Sequence, residues 1–473
     1  MLVLKFGGSS VGSAERILHA AGIVLEYGGD APVVVTSAMS GITDSLLAAH
    51  ASAASRDHEY RRQVLAIQER HRAAAQAIDS TANWCPLEAR LAALATDLTI
   101  TYSERDGSAR MRDRVASWGE QLAVLLVAGA ITALGGSGLA AETPLIVTDE
   151  HFGAATPLAE PTRSVAQAAY AHALTRHAIL VVPGFIGQSR RGNPHHPVLT
   201  TLGRGGSDYA ATLIAVALGA SACHIYTDVD GIFSADPRIV PDAQHLPSVS
   251  YATAGRLASS GAKVLHPRSV APAAQVGLPL RVCNSFRPEH PGTLITALAG
   301  EAQAITAIAA HPAVTLLSLT GAGLAAIPNA FVRLCAALGD VEPLLTPHPV
   351  PGHDPQVVVF TAAADSASER ITAAFAAEIA AGVLTGIARH DHLATCTVVS
   401  ADISYHTAHT AQRSLARQDI TPRSTVIMAD SMTFLLPAFA LTEAIRTLHA
   451  ALVPRERELI AADVAHCLCL TAS

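Results

Sequence analysis

From residue 1 to about residue 295, short β-branched apolar runs alternate with segments whose apolar residues recur at helical spacing. Met1–Phe6, Val33–Thr36, Ile179–Val182 and His224–Thr227 read as strands, and Leu122–Leu134 and Tyr209–Leu218 as helices. This alternation predicts a parallel sheet sandwiched by helices, an α/β fold. Between about residues 50 and 105, Arg, Glu and Gln are spaced between Ala and Leu at helical period, as in an inserted helical hairpin or small bundle with a structural role. Past residue 300 the pattern changes. A strand at Thr315–Thr320, a helix through Phe331–Leu338 and a strand at Val357–Phe360 are echoed by Thr395–Ser400, Thr410–Leu415 and Val426–Met428. Repeated strand-helix-strand units of this size predict a tandem α+β module. The expected division is therefore an α/β domain over 1–297 and two α+β modules over 303–390 and 391–473.

Length agrees with several domains, because 473 residues exceed the roughly 250–300 at which single cores stop growing. The longest apolar runs, Leu122–Leu134 and Ala210–Ala222, fall short of the roughly 20 residues a bilayer span needs, and each contains a glycine. Buried helices and no membrane partner are expected. Met1–Phe6 enters a strand directly, with no basic flank and apolar signal core, so a cytoplasmic location is expected. A net charge of −7 without a basic stripe argues against a nucleic-acid partner. The seven cysteines show no paired spacing and read as reduced thiols, with no protein-held metal expected. The adjacent His195-His196 pair lies in a Pro-flanked stretch and reads as a solvated turn.

Chemistry gathers where predicted strands end. Lys5-Phe6-Gly7-Gly8-Ser9-Ser10 sets a cation just before two glycines at a strand's carboxyl edge, where ligands of open α/β sheets bind. Glycines let backbone N–H groups approach phosphate oxygens, and the lysine adds a point charge. Ser37–Asp44 again follows a strand and leads into a helix, and its hydroxyls suit helix capping as well. Arg112-Asp113-Arg114, followed by Ser117-Trp118-Gly119-Glu120, puts a carboxylate at the start of an apolar helix, where it also compensates the dipole. Taken singly, each has a plain structural explanation. Thr200–Asp208 is different: three glycines, Arg204 and Asp208 crowd into six positions. Arg204 can grip a carboxylate with two parallel hydrogen bonds, and Asp208 can orient a lysine or the reacting group. Thr227–Arg238 and Gly261–Pro267 suit a nucleotide site, the second adding Lys263 for phosphates.

These six segments, in this order, resemble the amino-acid-kinase superfamily, and within it the aspartate kinases; the repeated C-terminal module resembles the paired ACT domains of that family. The resemblance implies transfer of the γ-phosphoryl group of ATP to the side-chain carboxylate of L-aspartate. It implies Lys5 and Asp208 as the catalytic pair, and Thr43, Glu120, Arg204 and Ser207 as the aspartate site, with Arg204 facing a carboxylate and Glu120 the ammonium. MgATP would be held by Gly7, Gly8, Ser9, Ser37, Thr227, Asp228, Phe233, Ser234, Asp236, Arg238 and Lys263, with Mg2+ bound mainly through the ATP phosphates. A homodimer through the ACT-like modules is implied as well.

Two rivals share the same pattern: phosphorylation of another small carboxylate, and a catalytically silent ACT-type sensor. Arg204 with Glu120 favours an amino acid as acceptor, and decay should have removed Lys5, Asp208 or Lys263, all of which are present. One departure concerns regulation. The family's Ser-Glu-Val-Ser type run of the first module is replaced by Thr346–His353, where Pro347, Pro349 and Pro351 lack the N–H groups an amino-acid effector would use. Thr421–Thr425 stands in a similarly altered place in the second module. Weakened feedback inhibition is the expectation.

Overall fold

The computed structural model describes residues 1–27, 31–189, 198–262, 264–297, 307–339, 341, 343–346 and 354–453. Lys263, the His195-His196 pair and the three prolines of the 346–353 segment lie outside the described residues. The chain divides into two compact units, the first made of Met1–Ile232, Leu246–Gly255 and Val264–Gly300, the second of Phe233–His245, Arg256–Lys263 and Glu301–Ser473.

In the first unit the elements follow as β1 (Leu2–Phe6), α1 (Ala14–Glu26), β2 (Val33–Thr36), α2 (Ile42–Ala54), α3 (Glu59–Ile78), α4 (Cys85–Glu104), α5 (Ala109–Ala116), α6 (Trp118–Ala133), β3 (Gly138–Ala140), α7 (Ala159–Thr175) and β4 (Ile179–Pro183). Then come β5 (Ile186–Ser189), β6 (Val198–Thr201), α8 (Gly206–Leu218), β7 (Ala222–Thr227), β8 (Ile232–Phe233), β9 (His245–Leu246), β10 (Ser248–Ser250), α9 (Tyr251–Ser259), α10 (Pro267–Val276), β11 (Leu280–Asn284) and β12 (Thr293–Thr296), of which β8, β9 and α9 include residues of both units. Eight strands form one sheet in the order β10-β12-β11-β7-β1-β2-β4-β3. Its pairings are parallel except β11 with β12. Helices on both faces explain why the middle strands are apolar without alternation; Val33 to Thr36 are all buried. The α/β expectation holds, and registers Phe6↔Thr36, Thr36↔Pro183, Phe6↔Tyr226 and Asn284↔Thr227 bring five strand ends to one edge.

The inserted helices do not form a bundle of their own. Tyr60, Val64 and Ile67 of α3 and Leu87, Leu91, Leu94 and Leu98 of α4 join Leu4, Phe6 and Val34 in a single apolar cluster. Helices α5 and α6 run on almost continuously, so Ala109–Ala133 has the length and apolarity to cross a bilayer, which the separate apolar runs did not show; 78% of its most apolar window is buried inside the fold. It is a core helix, packed on α1, α3, α4, β3 and β4.

The second unit contains β13 (Ala307–Thr320), α11 (Ala330–Ala337), β14 (Gln356–Phe360), α12 (Ala364–Ala374), α13 (Ala376–Ala380), β15 (Gly386–Val399), α14 (Tyr405–Ala416), β16 (Ser424–Ile427), β17 (Ser431–Pro437) and α15 (Leu441–Leu452). The repeats predicted as two modules share one antiparallel sheet of order β14-β13-β15-β17-β16, joined where β13 pairs along β15. Phe233–His245 also belongs here. Ala235 and Val240 sit in the same apolar cluster as Cys396, Phe434 and Leu448.

Candidate active site

At the strand-end edge of the first unit lies a cavity of about 610 Å3. Its wall includes Lys5, Gly8, Ser37, Thr43, Glu120, Arg204, Ser207 and Asp208, so eight residues singled out in the sequence from four separate segments meet there. Lys5 stands on β1 and is 7% exposed. Its ammonium lies 2.5 Å from Asp208 Oδ1 in the first turn of α8. A strand end carries the lysine and a helix start the aspartate, each next to glycines. The glycines act beside them: a Cβ on Gly7 would stand 3.2 Å from Lys5 Nζ, and one on Gly8 3.1 Å from the Ala38 carbonyl oxygen.

Two helices begin at this cavity, α2 after Gly41 (φ +79°) and α8 after Gly205 (φ +67°), and in neither does a side chain cap the first turn. The left-handed conformation suits glycine, and uncapped N-terminal amides offer their dipoles to an anion. Gly205 is also required by contact, because a Cβ there would sit 2.2 Å from Cβ and Cγ of His266.

Glu120, in the first turn of α6, is 3% exposed. Its Oε1 accepts the Ala38 N–H at 3.1 Å, while Oε2 is buried without a hydrogen-bond partner. Burial pushes its carboxyl up to about 8, against the opposing pull of the backbone N–H groups of Ala38 and of Glu120 itself. A buried carboxyl with one idle oxygen beside a cavity is prepared for a cation that arrives with the ligand.

Asp113, to which the sequence assigned no role, ties this wall together. Its Oδ2 accepts the N–H groups of Gly153 and Thr201, each at 2.8 Å, and its Oδ1 accepts the Thr201 hydroxyl at 2.9 Å. Burial raises its carboxyl and these hydrogen bonds pull it back. The arginines flanking it were the one local sign that it is special. Phe185, also on the wall, has φ +60° and no sequence signal announces it.

The residues proposed for the nucleotide divide. Gly7 donates its N–H to the Tyr226 carbonyl at 3.1 Å, the Ser9 carbonyl accepts Arg16 Nη1 at 2.9 Å, and the Thr227 hydroxyl bonds Asp228 Oδ1 at 3.2 Å, all beside the ends of β1 and β7. Ser285, not singled out in the sequence, joins these loops: its hydroxyl accepts from Ser10 at 2.8 Å and donates to the Thr227 carbonyl at 3.0 Å. Phe233, Ser234, Asp236 and Arg238 belong to the second unit. There Ser234 is 1% exposed and its Oγ lies 2.9 Å from His449 Nε2, Phe233 packs edge-on against His245, and Asp236 pairs with Arg238 at 2.6 Å. Among the described residues no group of three or more His, Cys, Asp or Glu side chains could hold a metal ion.

Comparison with known proteins adds an independent line. A family model for the amino acid kinase family matches residues 1–284. Aspartokinase 2, chloroplastic, of Arabidopsis thaliana is 35% identical over 326 residues, covering 67% of this chain and 58% of that protein. The aspartokinase of Thermus thermophilus is 32% identical over 387 residues and covers 79% of each chain. The E. coli aspartokinase III structure in complex with aspartate and ADP, in the R-state, superposes with a TM-score of 0.81 at 25% identity, covering 96% of this chain and 100% of that one. The chain spans between 56% and 58% of the length of the three Arabidopsis thaliana aspartokinases it matches.

Proposed function

The chain belongs to the amino acid kinase family, among the aspartokinases, and from that premise we propose that it transfers the γ-phosphoryl group of ATP to the side-chain carboxylate of L-aspartate. One observation carries the choice of acceptor: Glu120, a buried carboxylate with an idle oxygen, lines the same cavity as the Lys5–Asp208 pair. A ligand that brings an ammonium to Glu120 and anionic groups to Lys5, Arg204 and two helix N-termini is an acidic amino acid meeting a phosphate chain.

In this reading an oxygen of the aspartate side chain attacks the γ-phosphorus. The new O–P bond forms as the bond from that phosphorus to the bridging oxygen breaks, and the electron pair leaves with ADP. A side-chain carboxylate with a pKa near about 4 is already ionised at neutral pH, so no general base is needed. Positioning and charge stabilisation remain for the protein. Lys5 neutralises the transferring group, Asp208 holds Lys5 in line, Arg204 grips a carboxylate, and Thr43 and Ser207 supply hydroxyls. Mg2+ enters with ATP as part of the substrate. A cytoplasmic homodimer feeding lysine or threonine synthesis completes the proposal, supported on the first point by five described cysteines that are all free thiols. An assay coupled to ADP release, run with a panel of amino acids and small carboxylates, tests the acceptor; activity with any of them but not with aspartate overturns it.

Glu120 makes the reading pH-dependent. Its carboxyl is raised to about 8 in the free protein, so at neutral pH much of it is protonated, whereas an ammonium needs the ionised form. The KM for aspartate should therefore fall as pH rises from 6 to 8, by up to about tenfold per unit. Glu120→Gln should raise that KM and flatten its profile. A wild-type KM that does not change over this range would show that Glu120 does not meet the ammonium.

Arg204→Lys separates carboxylate binding from phosphate binding. Lysine keeps the charge and loses the planar fork, so the KM for aspartate should rise by about tenfold or more while the KM for ATP stays nearly constant. Equal effects on the two would assign Arg204 to the phosphates.

A further inference from the structure

Asp97, on the inserted helix α4, is 2% exposed. A single oxygen of it, Oδ2, accepts two hydrogen bonds, from Arg114 Nε at 2.8 Å and from Trp118 Nε1 at 2.9 Å. Arg114 is the last basic residue of α5 and Trp118 the first residue of α6. Asp97 thus grips the junction of these helices from both sides, and only Ser117 separates them. The junction carries two cavity residues: Asp113 precedes Arg114 by one position, and Glu120 follows Trp118 by two.

The grip acts where little slack exists. A Cβ on Gly119 would meet the Cβ of Ala38 at 2.7 Å, so the start of α6 is pressed against the residue whose N–H holds Glu120. A shift of the junction therefore moves Glu120 and the Ala38 N–H that it accepts against each other. Buried carboxylates that accept two donors hold geometry well, because losing either donor leaves a costly unpaired acceptor. The insertion touches the loop after β1 and helix α6 elsewhere too: Arg70 of α3 donates to the Gly12 carbonyl at 3.0 Å, and Arg90 of α4 donates to the Gln121 carbonyl.

We propose that Asp97 is a positioning residue for the amino-acid pocket, holding the α5–α6 junction through Arg114 and Trp118 so that Glu120 and Asp113 keep their places on the cavity wall. The insertion is then part of the apparatus that selects the acceptor. This rests on the aspartate kinase reading above.

The test compares wild type, Asp97→Asn, Trp118→Phe and the double variant, measuring kcat, the KM for aspartate, the KM for ATP and the urea midpoint. Asparagine keeps the size of the side chain and loses its charge; phenylalanine keeps most of the ring and loses only the donor. Each single change should raise the KM for aspartate about tenfold, as expected when a binding group is displaced by a fraction of an ångström, with the KM for ATP unchanged. The double variant should be no worse than the more affected single, because the two changes break one contact. A purely structural role would lower the urea midpoint and leave both KM values alone, or raise both together; either result overturns the inference, as does simple additivity. If Asp97→Asn fails to fold, Trp118→Phe decides by the same split. A wild-type protein that does not phosphorylate aspartate overturns the functional reading itself and this inference with it, whereas an active wild type with unselective variants removes the inference alone.

Discussion

Replacing Lys5 with alanine is expected to lower kcat by about 10²–10³, the usual effect of removing one preorganised electrostatic group at roughly 2.7–4 kcal/mol. Stability should fall as well. Lys5 sits on the central strand β1 with its side chain 8% exposed, and its partner Asp208 is 16% exposed. Removing one member of such a pair strands the other charge, at about 3 kcal/mol or more for well-buried cases. Loss of activity in Lys5→Ala alone is therefore ambiguous between chemistry and folding. The double variant Lys5→Met with Asp208→Asn resolves it, because neither charge is stranded. Its thermal midpoint should recover towards wild type while ADP release at saturating substrates stays at the level of the single variant. Recovery of activity along with stability would mean that the pair is structural and that phosphoryl transfer depends on other groups.

Gly205→Ala should be as damaging by another route. At φ +67° an alanine costs roughly 1–2 kcal/mol for backbone conformation alone. The larger effect is steric, since the new methyl group would lie 2.2 Å from the Cβ and Cγ of His266. His266 caps α10 by accepting the Arg268 N–H, and Arg268 in turn holds the Leu202 carbonyl at 2.7 Å and stacks on Tyr209. Relief of the clash must move the start of α8 or the start of α10, and α8 carries Ser207 and Asp208. A displacement of about 1 Å at a reacting centre costs about 10²-fold, so kcat/KM should fall by that much or more. Gly219 is the control. It ends the same helix at φ +62°, and a Cβ there would meet nothing within 4 Å. Gly219→Ala should pay the conformational cost in its thermal midpoint and keep full kcat/KM; similar losses in both variants would show that backbone strain, and not the His266 contact, is responsible.

Much of this was legible along the chain because the signals are local. Strands β1, β2, β4 and β7 appear where β-branched runs end in glycine or hydroxyl residues, and α8 begins at the glycine cluster that introduces it. Helix α15 and strand β17 were not anticipated, nor was the joining of the two C-terminal repeats, whose common sheet depends on β13 finding β15 across about 80 residues of chain. The same limit explains Ser234. Its sequence neighbourhood suits a phosphate loop, yet its hydroxyl is spent on His449, 215 residues away.

The sequence by itself determined which chemical groups are available and on which strand ends and helix starts they stand, since hydrophobic period and glycine placement act over a few residues. Only the tertiary structure decided which of them meet. Lys5 reaches Asp208 because β1 and α8 share one sheet edge, Glu120 acquires its raised carboxyl because α6 is buried against Ala38, and Asp97 holds that helix from an insertion whose pattern reads as a helical hairpin or small bundle with a structural role. The physical reason is that burial and pairing are properties of neighbours in space. A carboxylate's desolvation, its partners and the room left for a ligand all come from segments tens to hundreds of residues away, and no local pattern encodes their distance.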